Sequence, residues 1–86
     1  MIYLNGQYLE ESEARVSVMD RGFLFGDSVY EVIPIFDGHP FRLVEHLNRL
    51  KYSLAEISVA YKVDEVQWRE ITAELCKDHI GTDCSL

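Results

Sequence analysis

The side chains able to do chemistry in this 86-residue chain fall into two groups. In the first, Asp20 and Asp27 bracket the run Asp20-Arg21-Gly22-Phe23-Leu24-Phe25-Gly26-Asp27, and Glu31 lies just beyond it. Carboxylates spaced in this way can move a proton, and they can equally cap loop backbone and carry charge on a strand. The second group is Glu45-His46-Leu47-Asn48-Arg49-Leu50. His46, beside Glu45 on a helix, reads as a solvated or partner-packed imidazole rather than a general base. Arg49 falls between Leu47 and Leu50, at the margin of an apolar helix face. A guanidinium there can snorkel, pair with a carboxylate, or point its fork of donors into a cleft to hold a carboxylate or phosphate. The residues alone leave all three uses open. The Gly22 to Gly26 spacing lacks both Gly-x-Gly-x-x-Gly and a following Lys-Ser/Thr, so it is not a phosphate loop. Cys76 and Cys84 match no zinc pattern, and His39, His46 and His79 have no ligand spacing, which predicts no metal site. The two cysteines read as reduced thiols, with Cys76 half buried.

The elements that must position these groups follow from local signals. Ile2-Tyr3-Leu4 and Gln7-Tyr8-Leu9 flank Asn5-Gly6, the pair suited to a type I′ turn because both central residues need positive φ. Glu10 to Ala14 is polar, a loop or a single turn, and Val16-Ser17-Val18 predicts a short extended segment. Asp20 to Asp27 reads as irregular backbone with buried side chains. Ser28 to Phe36 reads as the longest strand, with Val29, Glu31, Ile33 and Ile35 on one face and Tyr30, Val32, Pro34 and Phe36 on the other. Pro34 cannot donate to a ladder, so this strand is expected at an edge or bulged there. Asp37-Gly38 turns it into His39 to Arg42. Leu43, Leu47, Leu50, Leu54 and Ile57 then recur at helical spacing and predict a helix over 43–57. Asp64, with Gln67 three residues on, opens a second helix whose stripe is Trp68, Ile71 and Leu75, with Gly81 as its stop. Strands followed by helices predict an α+β domain, an antiparallel sheet with two helices packed on one face.

Composition narrows the partners. The chain is 48% apolar with two prolines and five glycines, which excludes a disordered linker. Fifteen Asp and Glu against eight Lys and Arg give a net charge of −7, a poor match for nucleic acid or an anionic membrane surface. A small anion is still accessible to one or two placed arginines. No apolar stretch approaches the ~20 residues of a membrane span. The N-terminus has no basic region followed by an apolar one, and the expected location is cytoplasmic.

The run Asp20-Arg21-Gly22-Phe23-Leu24-Phe25-Gly26-Asp27-Ser28-Val29-Tyr30-Glu31-Val32, then Asp37-Gly38, then Glu45-His46-Leu47-Asn48-Arg49-Leu50, resembles the N-terminal lobe of the fold-type IV pyridoxal-phosphate enzymes. These are the class IV aminotransferases, among them D-amino-acid transaminases, branched-chain transaminases and aminodeoxychorismate lyases. The resemblance covers essentially the whole chain, and the wording of the loop and of Val29-Tyr30-Glu31-Val32 is most similar to D-amino-acid transaminases. It implies that Arg49 binds the cofactor phosphate. It further implies that Tyr30 lines the substrate pocket and Val32 forms its wall. Glu31, on the opposite strand face, matches a supporting position and is not assigned to catalysis. The stretch from Arg21 to Asp27 would be scaffolding that positions Tyr30. The cofactor implied is pyridoxal 5′-phosphate, the small-molecule partners are an amino acid and a 2-oxo acid, and a homodimer is expected.

In this family the lysine that forms the Schiff base with the cofactor comes from a larger C-terminal domain, and Lys51, Lys62 and Lys77 match none of its positions. The resemblance therefore implies that residues 1–86 are a single N-terminal domain, that no catalytic residue lies among them, and that the chain alone is inactive and does not hold the cofactor stably. Asp83-Cys84-Ser85-Leu86 reads as the start of a strand, and the expectation is a chain cut there. Two alternatives stay open. One is the equivalent lobe of a branched-chain aminotransferase or aminodeoxychorismate lyase; the other is a complete, non-enzymatic binding domain.

Overall fold

A computed structural model describes all residues from Met1 to Leu86. The chain opens with a hairpin of β1 (Ile2–Leu4) and β2 (Gln7–Leu9), paired antiparallel with Tyr3 opposite Tyr8. Asn5 and Gly6 both have positive φ, +49° and +85°, as the turn requires. A 3-10 turn at Glu11–Glu13 follows, and a short helix, α1, spans Arg21–Phe25. The second hairpin joins β3 (Pro34–Phe36) to β4 (His39–Pro40) through Asp37 and Gly38. Helix α2 (Leu43–Glu56) and helix α3 (Glu65–Cys76) come next, and β5 (Asp83–Ser85) ends the order. β5 pairs antiparallel with β3, giving a three-stranded sheet in the order β4-β3-β5.

The α+β architecture is as expected, and both long helices stand where the apolar period places them. Asp64 accepts from the N–H groups of Val66 and Gln67, which satisfies donors at the start of α3 that have no partner inside the helix. The core forms between β3 and the helices. Ile33, Ile35, Leu43, Leu47, Val63 and Cys76 are buried together, with Leu50, Leu54 and Trp68 packed against them.

Several expectations are corrected. Asp20 to Asp27 is not irregular backbone with buried side chains. The Asp20 carboxylate accepts from Gly22 N–H at 2.8 Å, and Gly26 (φ +70°) ends the turn in the left-handed region, so the five residues between them are helical. Phe23 and Phe25 are 71% and 68% exposed. The long strand over 28–36 is reduced to Pro34–Phe36, where β4 and β5 supply the ladder, with Ile33 and Leu86 adding one flanking pair and nothing pairing residues 28–32. Its alternation nevertheless holds: Ile33 and Ile35 are buried while Tyr30, Val32 and Phe36 are exposed.

β3 is the central strand rather than an edge. Pro34 is its first residue, and its carbonyl takes the Phe41 N–H at 2.8 Å, so the missing N–H falls at the end of the ladder. Val16 to Val18 pairs with nothing and leads into a turn. The two hairpins form separate sheets. Cys76 is fully rather than half buried, and burial pushes its thiol pKa up; Cys84 is exposed.

Candidate functional site

The site begins where α1 ends. From Asp27 to Ile33 the chain runs without regular structure, and its side chains alternate in exposure. Tyr30 and Val32 face out, 83% and 54% exposed, while the Glu31 side chain is only 9% exposed. A carboxylate placed among inward apolar residues needs donors. Helix α2 supplies them from His46 and Arg49, three residues apart and so neighbours on one helix face.

Glu31 Oε1 accepts from His46 Nδ1 at 2.7 Å, from Arg49 Nε at 3.0 Å and from Arg49 Nη2 at 2.8 Å, and Oε2 accepts from Arg49 Nε at 2.8 Å. The guanidinium is therefore gripped side-on, along the edge that joins Nε to Nη2. The hydrogen bond from Arg49 holds the Glu31 carboxyl below its ordinary range. That effect outweighs burial, which acts the other way, and His46 adds to it. The same contact pushes the Arg49 pKa higher still. An ionised carboxylate only accepts, so Nδ1 of His46 carries the hydrogen that Glu31 receives. His46 is thus the partner-packed imidazole, with its side chain 16% exposed.

Tyr30, Glu31, Val32, Arg49 and Ser53 line one cleft of about 340 Å³. The expected site residues Tyr30, Val32 and Arg49 are thereby brought to a single surface. Arg49 remains 64% exposed. Its second Nη2–H and both Nη1–H have no protein acceptor, so the outer edge of the fork is free for an anion. Those donors fit the phosphate of pyridoxal phosphate, and Tyr30 and Val32 beside them fit its organic portion or a substrate. Behind the pair lies an apolar cavity of about 230 Å³ walled by Ile33, Leu47, Leu50, Trp68 and Leu86, with Glu31 and His46 at its polar end.

Other candidates do not join this site. Asp20 caps α1, and Asp27 accepts from the Arg21 guanidinium at 2.9 Å. Lys77 donates to Glu74. Ser53 was not assigned from sequence, and Glu31 was given only a supporting position. Ser53 stands one helical turn beyond Arg49, a spacing that could have found it. The clamping role of Glu31 was signalled by its place in the inward series Val29, Glu31, Ile33, Ile35.

Comparison with known proteins adds an independent finding. Residues 28–83 match the family described as amino-transferase class IV. Over 77 residues the chain is 39% identical to the aminodeoxychorismate lyase of Bacillus subtilis, covering 90% of this chain and 26% of that protein. Over 74 residues it is 43% identical to a D-alanine aminotransferase of Bacillus licheniformis, covering 86% and 26%. A D-alanine aminotransferase of Staphylococcus haemolyticus is 38% identical over 78 residues, covering 88% and 27%. The chain thus spans about a quarter of the length of the curated relatives it matches.

Proposed function

Because the chain belongs to the class IV aminotransferases, we propose that it is the N-terminal domain of an enzyme that moves an amino group between an amino acid of the D series and a 2-oxo acid. The resemblance in the Tyr30 segment and the similarity to two D-alanine aminotransferases support the D series. Pyridoxal phosphate, when bound, supplies the electron sink that stabilises charge at the substrate α-carbon. The observation that carries the reading is the free outer edge of Arg49 at the cleft it shares with Tyr30 and Val32. In this reading Arg49 holds the cofactor phosphate, while Tyr30 and Val32 shape the substrate pocket. The lysine that binds the cofactor covalently comes from a C-terminal domain of the same protein, and the enzyme works in solution as a homodimer. Residues 1–86 alone are inactive.

The test is an assay of the full-length protein with bound cofactor against D-alanine, L-leucine and aminodeoxychorismate. Amino transfer from D-alanine to a 2-oxo acid is expected. Absence of transfer from every D- and L-amino acid tried overturns it. A second reading, a lyase acting on aminodeoxychorismate, is favoured by the 39% identity to the Bacillus subtilis enzyme, and the third substrate tests it.

A further inference from the structure

We infer that Glu31 is a positioning residue for anion binding: it grips the Arg49 guanidinium side-on, so that the outer N–H donors are presented to a phosphate monoester at the cleft lined by Tyr30, Val32 and Ser53. The inference rests on the proposed reading of Arg49 and goes a step beyond it.

Arg49 cannot hold itself in place. Its side chain is 64% exposed, and every hydrogen bond it makes goes to Glu31. Without that partner a long arginine samples many rotamers, and a ligand would have to order it on binding. Glu31, in contrast, is anchored on several sides. Its side chain is 9% exposed, and the same Oε1 that grips Arg49 accepts from His46 Nδ1 at 2.7 Å. Two residues on, Ile33 is buried and exchanges backbone hydrogen bonds with Leu86 at 2.9 Å in both directions. The order of support therefore runs from the sheet, through Glu31, to the arginine. Tyr30 and Val32 flank Glu31 on the same backbone, so one short segment fixes both the anion-binding donor and the walls of the pocket.

A competing effect has the opposite sign. Glu31 is negative, and placed beside a phosphate site it repels the ligand. The phosphate would lie across the guanidinium from Glu31, on the solvent-open side, where water and salt screen that repulsion. The orientation that Glu31 imposes is not screened. Positioning therefore predicts weaker phosphate binding when the carboxylate is removed, whereas charge alone predicts tighter binding.

The experiment compares the affinity of the full-length protein for pyridoxal phosphate and for pyridoxal, which lacks the phosphate, by absorbance titration. Glu31→Gln is expected to weaken pyridoxal phosphate about tenfold and leave pyridoxal within about twofold, at low and at high salt. Glu31→Asp keeps the charge but shortens the reach, and should resemble Glu31→Gln. Unchanged or tighter pyridoxal phosphate binding in Glu31→Gln overturns the inference, as does an equal loss for both ligands. Should Glu31→Gln fail to fold, His46→Ala removes the second anchor while keeping the Glu31 charge. It should lower the preference for the phosphorylated ligand severalfold, and an unchanged preference counts against Glu31. Arg49→Ala separates the two levels. If it leaves the preference intact, the reading of Arg49 is wrong; if it abolishes the preference and Glu31→Gln does not, only the role of Glu31 is.

Discussion

From Ile33 onward the chain supplies the core: Ile33, Ile35, Leu43, Leu47, Val63 and Cys76 are buried against one another. Between Val16 and Val32 the opposite holds, since Val16, Val18, Met19, Phe23, Phe25, Tyr30 and Val32 are each more than half exposed. Up to Asp27 that earlier segment is shaped by short-range bonds alone. Ser17 Oγ accepts from Met19 N–H, Asp20 from Gly22 N–H, and Asp27 from Arg21. Such bonds fix the path of the backbone but remove almost no apolar surface from water. The two regions differ in what stabilises them, and the candidate cleft lies on their seam. Tyr30 and Val32 come from the exposed segment, Arg49 and Ser53 from the packed one, and Glu31 crosses between them.

The sharpest way to break this contrast is in the core. Ile35→Ala removes a side chain with 0% exposure and should cost about 2–5 kcal/mol, read from chemical denaturation. A cost near that of a surface change would mean the packed region is not packed. Next comes the seam. Arg49→Ala should weaken cofactor affinity of the full-length protein about tenfold or more, while Tyr30→Phe leaves affinity within about twofold and alters turnover or substrate choice. Equal effects of the two on affinity would erase the division of labour between them.

A smaller effect should appear in acid. The Glu31 carboxyl titrates lower in the folded chain than its ordinary value of 4.5, so the stability it contributes is complete above about that pH. It is lost as pH falls through the depressed value, and Glu31→Gln should flatten this part of the curve of stability against pH. An acid limb of the same steepness in both proteins would assign the loss to other groups. Phe23→Ala, at 71% exposure, should change stability by less than about 0.5 kcal/mol, and a core-sized loss would show that this segment packs after all.

What the sequence disclosed follows the range of each signal. The Asn5-Gly6 turn, the Leu43 to Leu54 period and the Asp64 cap are decided by residues within a turn or two, and all were legible. The length of β3 was not, because a strand exists only where a partner lies, and its partners include Asp83 to Ser85. Alternation from Val29 to Ile35 was legible as a pattern of faces, without saying what each face meets. Asp20 and Gly26 held the marks of a helix start and stop, yet the glycine-bracketed triplet read as loop. Exposure of Phe23 and Phe25 depends on the whole chain and leaves no local trace. For Arg49 the residues named pairing with a carboxylate and anion binding as rival uses. One edge of the guanidinium is paired, and the other is open to an anion.

The pairing of β5 with β3 also bears on the order of events during synthesis. Ile35 sits opposite Cys84, with both long helices between them in the chain. The Asp37 carboxylate accepts from Gly81 N–H, and Asp83 accepts from Asp37 N–H, which adds further links of the same span. Helices α2 and α3 can form from neighbouring residues as they leave the ribosome. The sheet edge along β3 stays open until residues 83–86 have emerged, because its closing partner follows both long helices in the chain. For that interval Ile33 and Ile35 lack the strand beside them, and a nascent chain stalled short of Thr82 would expose an unpaired edge to its neighbours.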